Sequence, residues 1–184
     1  MDKLEKQKST RGGRKIHEQF NEPSLFKDVE SVLQTARDKG LYEGNVLDIE
    51  TLVEVLPDVE LSYSEMSGGL SGSLKNDNGI WQMKINSKHH KNRQRFTIAH
   101  ELGHYFLHKE KNTSFEDTTF FRGAKSNPIE YAANEFASAV LMPEDLIQEL
   151  ISNGVRELSE LAGEFGVSAS AMKYRLEKLG YILN

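Results

Sequence analysis

Apolar positions in the first part of the chain recur at helical spacing. Leu25, Phe26, Val29, Val32, Leu33 and Ala36 fall on one stripe, with Pro23 suited to a first turn and Gly40 to a stop. The pattern predicts a helix over 23–36. Asp48 is placed to cap a second short helix that runs through Leu56 and ends at Pro57, because its carboxylate can accept from the first free N–H groups. The pattern then changes to short β-type runs, Val59–Tyr63, Leu70–Leu74 and Ile80–Ile85. Gly68-Gly69 and Asn76-Asp77-Asn78-Gly79 separate them, and the second break reads as a hairpin turn. In the third run Trp81, Met83 and Ile85 alternate with Gln82 and Lys84, which predicts one apolar face and a polar face turned toward a cleft.

Helical spacing returns with Asn92 as the expected cap and continues through Phe96, Ile98, Ala99, Leu102, Gly103, Tyr105, Phe106 and Leu107. So many apolar residues around one axis predict a buried helix. A polar loop is expected over 109–127. Pro128 then opens a helix that reaches Leu141, and Pro143 forces a break before a further short helix. From Leu158 to Leu179 two helices are expected, with Ala162 at their crossing, Gly166 at the turn and Ser168 as the second cap; this resembles a helix-turn-helix. The expected organisation is a basic leader over 1–20, a core over 21–153, and a helical segment over 154–184 that lies on the core.

At 184 residues the chain can bury a real core without staples. It contains no cysteine, which excludes disulfides, thiolate ligands and a Cys nucleophile and fits a reducing compartment. Any metal must therefore sit on His and carboxylate. The net charge is −5, yet the first fifteen residues carry Lys3, Lys6, Lys8, Arg11, Arg14 and Lys15 against Asp2 and Glu5. That leader reads as a solvated tail. No apolar stretch approaches the roughly 18 residues of a membrane span, and the N-terminus lacks the apolar segment of a signal peptide. The expected address is the cytoplasm.

The chemistry concentrates in His100-Glu101-Leu102-Gly103-His104. Two histidines four apart on a helix project their rings from one face about one turn apart, close enough to grip a single ion. Glu101 lies beside the first ligand, where it can take a proton from a metal-bound water without coordinating the ion. The surrounding Phe96, Ile98, Ala99, Leu102 and Phe106 would make stray polar groups costly to bury, and a bound Zn2+ gives the histidines a reason. A hydrolytic zinc usually takes a third protein ligand, for which His108, Asp117, Glu130 and Glu135 are the candidates. His108 would have to reach back along its own helix. Glu130 opens the next helix, with Asn134 one turn later to support its carboxylate, and is the choice. Gly103 would let that helix approach closely through Ala132, Ala133 and Ala137.

These residues resemble the ImmA/IrrE-type zinc metallopeptidases, through Arg93-Gln-Arg-Phe-Thr-Ile-Ala-His-Glu-Leu-Gly-His-Tyr-Phe-Leu-His108 and Glu130-Tyr-Ala-Ala-Asn-Glu-Phe-Ala-Ser-Ala-Val-Leu-Met-Pro143. The likeness runs from about Gly72 to Leu179 and takes in Ile85-Asn86 and the closing Ala-Met-x-x-Arg-Leu. It implies zinc ligands His100, His104 and Glu130, catalytic Glu101, and a protein substrate, a helix-turn-helix repressor of a mobile element, phage or stress response. The expected fold is α+β, a small antiparallel or mixed sheet packed on zincin-like active-site helices, with a C-terminal helix-turn-helix-like bundle. An extended substrate is expected to pair with the strand Ile80–Asn86 if that strand is an edge. Tyr105, His108 and Tyr131 are candidates for stabilising the oxyanion.

Two rival functions remain open. The last two helices read alternatively as a DNA-binding regulator, with Ser170, Lys173, Tyr174 and Lys178 as contacts. Against it, Glu177 intrudes and the chain is acidic, whereas phosphate contacts dominate DNA affinity. The bland alternative buries Leu158, Leu161, Val167, Met172 and Leu176 against the core. The other rival is a zinc-holding interaction module that cuts little.

Overall fold

The computed structural model describes residues 28–117 and 127–182. The leader, with Pro23, Leu25 and Phe26 of the expected first helix, lies outside them. Helix α1, Val29–Asp38, starts one residue after Asp28, whose carboxylate accepts from the Ser31 N–H at 2.9 Å while the Ser31 hydroxyl answers the Asp28 N–H. Strands β1 (Tyr42–Glu43) and β2 (Val46–Leu47) form a small hairpin too short for a periodicity to show. Helix α2, Ile49–Glu54, is capped as expected by Asp48, which accepts from the Thr51 N–H at 3.0 Å.

Strands β3 (Val59–Ser64), β4 (Gly72–Asp77), β5 (Ile80–Asn86) and β6 (Ser114–Asp117) form one mixed sheet in the order β3-β5-β4-β6. The expected hairpin joins β4 to β5, with Asn78 and Gly79 both at positive φ. Strand β3 pairs parallel with β5, Val59 opposite Trp81 and Ser64 opposite Asn86. That pairing overturns one expectation: β5 lies inside the sheet, so its backbone is not open to a substrate. The edge strand on the β4 side is β6, within the expected polar loop, where Ser114-Phe115-Glu116-Asp117 carries one apolar residue and so no alternation to mark it.

Helix α3, Lys91–His108, crosses under the sheet. Its cap is His90, whose Nδ1 accepts from the Asn92 N–H at 3.2 Å, and not Asn92 as expected. The Asn92 side chain instead donates to the Val167 carbonyl at 2.9 Å. Helix α4, Pro128–Leu141, has the expected bounds; Asn127 caps it by accepting from the Ile129 N–H at 3.1 Å. Helix α5, Glu144–Ser152, follows Pro143. Helices α6 (Leu158–Glu164) and α7 (Ala169–Lys178) turn at Gly166, φ 60°, and Ser168 caps α7. Leu161, Val167, Met172 and Leu176 are buried and Leu158 is half-buried, as the core-docking reading expects.

The result is the expected α+β fold. Leu74, Met83 and Ile85 from the sheet join Ile98 and Leu102 of α3 in one hydrophobic core, all excluded from water. Each such side chain contributes about 2 kcal/mol by burial. No helix among the described residues is long and apolar enough to cross a membrane.

Candidate metal centre

The stretch of α3 from Phe96 to Tyr105 is buried throughout, so the polar residues within it point into an interior. His100, Glu101 and His104 are all fully buried. The two rings meet edge to face, Nε2 to Nε2, at 3.0 Å. From α4, the Glu130 carboxylate sets Oε2 at 3.3 Å from His100 Nε2 and Oε1 at 3.4 Å from His104 Nε2. The three residues form the group of potential metal ligands found among the described residues. Glu130 keeps 30% of its side chain exposed, so solvent meets the cluster at the carboxylate.

The two carboxylate–imidazole spacings fit a metal ion, and the two rings stand slightly closer to each other than a bound ion would set them. Bonds of about 2.0–2.2 Å from nitrogen and oxygen donors at tetrahedral angles would place neighbouring donors about 3.3–3.6 Å apart. The His100 ring is also oriented to present a donor. Its Nδ1 lies 2.9 Å from Asn134 Oδ1, which accepts the Nδ1–H and leaves the Nε2 lone pair facing the cluster. Asn134 therefore supports His100 and not, as expected from its spacing, the Glu130 carboxylate. The His104 ring stacks on Phe115 of β6, centroids 4.3 Å apart and planes 15° off parallel, and its Nδ1 lies 3.3 Å from His108 Nδ1.

Among the described residues the other ligand candidates do not join the three converging donors. His108 neighbours His104 through that Nδ1 contact. Glu135 accepts from Tyr174 and pairs with Lys178 at 3.6 Å. The side chain of Asp117 lies outside the described residues. Among the oxyanion candidates, the Tyr105 hydroxyl donates to Asp58 at 2.6 Å, and burial followed by that bond pushes it above its ordinary titration range. The Tyr131 hydroxyl accepts from Lys178 at 2.5 Å. Both hydroxyls are engaged by these partners.

Gly72, at the start of β4, joins the site without belonging to either helical motif. A Cβ there would lie 2.4 Å from Thr97 Cγ2 and 2.8 Å from Glu101 Oε1. The missing side chain is the space that Glu101 occupies. Asn86 holds the approach to this point, its side-chain amide donating to the carbonyls of Leu70 at 2.7 Å and Met66 at 3.2 Å. The signal in the sequence is a glycine inside a strand, which often marks close approach of another group.

Gly103 acts as expected. A Cβ on it would sit 3.0 Å from Ala133 Cα and 3.1 Å from its carbonyl oxygen. Since the obstacle is the backbone of α4, Gly103→Ala must push the two helices apart. Overpacking of about 1–3 kcal/mol outweighs the gain of up to about 1 kcal/mol in helix propensity. The expected result is a lower urea midpoint at unchanged slope, corresponding to about 1–2 kcal/mol. A midpoint at or above the parent's would show that the contact has slack.

A profile of the IrrE N-terminal-like domain matches residues 57–177. Over 158 residues the chain is 30% identical to metallopeptidase ImmA of Bacillus subtilis, covering 85% of this chain and 86% of that one. It is 33% identical over 133 residues to the radiation response metalloprotease IrrE of Deinococcus radiodurans, covering 70% of this chain but only 40% of that longer protein. Among solved structures, a Mycobacterium tuberculosis transcriptional regulator superposes with a TM-score of 0.56 at 15% identity, over 81% of this chain and 46% of that one, a likeness of fold alone. With the matched region holding both histidines and the α4 carboxylate, the chain belongs to the ImmA/IrrE family of metallopeptidases.

Proposed function

We propose that this metallopeptidase is a zinc-dependent regulatory endopeptidase of the cytoplasm that cleaves a helix-turn-helix repressor of a mobile element, phage or stress response. His100, His104 and Glu130 hold the zinc, and Glu101 is the catalytic base. The observation that carries the reading is the convergence of three donors beside a fully buried carboxylate. Structural zinc sites are normally closed by four protein ligands, whereas three leave a position for water. Two imidazoles and a carboxylate suit zinc.

Zinc, when bound, makes a coordinated water acidic and polarises a carbonyl group. Glu101 takes a proton from the attacking water at a carboxylate oxygen and returns it to the leaving amine nitrogen. That carboxylate is fully buried and lies close against Gly72, which favours a position set before substrate arrives. Asn134 holds the His100 ring by its far nitrogen.

Support for an extended peptide as substrate comes from β6. The Asn76 N–H donates to the Thr113 carbonyl at 2.8 Å, which continues the β4–β6 ladder and gives 113, 115 and 117 the inward backbone groups. Ser114 and Glu116 therefore direct their backbone donors and acceptors outward, and no strand among the described residues pairs with them. With Phe115 stacked on His104, a segment added at this edge would run beside the metal centre.

The DNA-binding alternative loses support on α7. Tyr174 donates to Glu135, Lys178 donates to Tyr131, Lys173 lies 3.8 Å from Glu177, and the Ser170 hydroxyl lies 3.0 Å from that of Ser168, so all four proposed contacts have protein partners.

The test is to incubate the full chain with helix-turn-helix repressors encoded beside it and to follow fragments by mass spectrometry. Cleavage should stop with a chelator, return with zinc and not return with magnesium. Unabated cleavage in chelator would exclude the metal mechanism. Intact repressors beside a readily cut unstructured peptide would exclude the substrate class alone.

A further inference from the structure

Helix α4 carries Glu130 and Asn134 on the side that meets α3, and its first turns are the part of a helix most prone to fray, because the first N–H groups have no intrahelical partner. Asn127 satisfies one of them. The adjoining residues Tyr131 and Glu135 face away from α3, toward α7. There Lys178 donates to the Tyr131 hydroxyl at 2.5 Å, which leaves its nitrogen 4.6 Å from the ring centroid, and pairs with Glu135 at 3.6 Å. Tyr174 donates to the same Glu135 carboxylate; burial and then that bond push its hydroxyl above the ordinary range, which keeps it a donor. At the other end of α4, Arg175 Nε donates to the Met142 carbonyl at 3.1 Å, a cation at the negative end of the helix dipole. One face of α7 thus grips α4 at both ends.

We propose that Lys178 and Tyr174 are positioning residues for the metal centre: by holding Tyr131 and Glu135 they fix the first turns of α4, and with them Glu130 and Asn134, against α3. The proposal rests on the reading that Glu130 is a zinc ligand. It gives the helix-turn-helix-like segment a role within the peptidase, since two of the side chains that would read a groove, Tyr174 and Lys178, are those that steady the ligand helix.

Zinc affinity of the full chain, measured by competition with a chromophoric chelator, tests this without any substrate. Lys178→Met is expected to weaken binding about fivefold, and its combination with Tyr174→Phe about tenfold. Lys178→Arg should recover most of the loss, and Lys173→Ala, on the exposed side of α7, should stay within about twofold of the parent. In a Glu130→Gln background, where affinity is already reduced, Lys178→Met should cost clearly less than in the parent, because of the two residues it positions only Asn134, behind His100, still serves the metal. An equal further loss in that background would mark general loosening of the fold and overturn the proposal. So would unchanged affinity in the double variant. Should Glu130→Gln bind zinc as tightly as the parent, the ligand assignment itself fails and takes this role with it, a result distinct from failure of the α7 contacts alone.

Discussion

Glu101→Gln is expected to keep its zinc and to lose peptide hydrolysis by about a thousandfold or more. The amide has nearly the shape of the carboxylate but no basic oxygen to take a proton at neutral pH. The position is fully buried, with Gly72 close against one carboxylate oxygen, so the amide is expected to take the carboxylate's place. Metal content by mass spectrometry and cleavage of a fluorogenic peptide should be read on one preparation. Retention of a tenth of the parent rate with full metal would place the base elsewhere. Loss of the metal together with the rate would recast Glu101 as a support for the ligands.

Gly72→Ala is the second variant with a large expected effect, and it reaches the base without touching it chemically. The added methyl would collide with Thr97 Cγ2 and Glu101 Oε1, and both side chains are fully buried. Thr97 has little freedom to yield, since its hydroxyl donates to the Arg93 carbonyl at 2.8 Å. Displacement of a catalytic group by about 1 Å can lower the rate about a hundredfold, and overpacking costs about 1–3 kcal/mol. The combination Gly72→Ala with Thr97→Ser separates the two effects. Removing Cγ2 relieves the shorter collision, so stability should return while activity stays low, because the methyl still presses on Glu101. Full recovery of activity in that pair would mean that Thr97 alone carried the strain.

The cluster was legible because the relations that define it are local or nearly so. Four-residue spacing on a helix fixes which residues share a face, and Pro128 and Pro143 bracket the helix that brings Glu130. What escaped were relations set between elements. Asn134 lies one turn from Glu130, but the ring it meets depends on how α4 crosses α3. Strand order depends on β3 returning parallel beside β5, which a hydrophobic pattern does not encode. Among the described side chains of strand β6 only Phe115 is buried, and the strand's place follows from pairing with β4. Gly72 has an ordinary negative φ, so its need is spatial and becomes visible only when Glu101 stands against it.

The outward edge of β6 also bears on colloidal behaviour. A row of backbone groups with which no described strand pairs, proposed above to receive a peptide, is equally a template on which a second molecule of the same protein can add, the first step toward precipitation. Two features of the strand limit that hazard. It is four residues long, too short to hold a neighbour firmly by backbone bonds alone, and it carries the exposed Glu116, whose charge would face its own copy in an edge-to-edge pairing. Under the proposed function a guest held there briefly would be cut and released, while a copy of the host would find too few bonds and the wrong charge to stay.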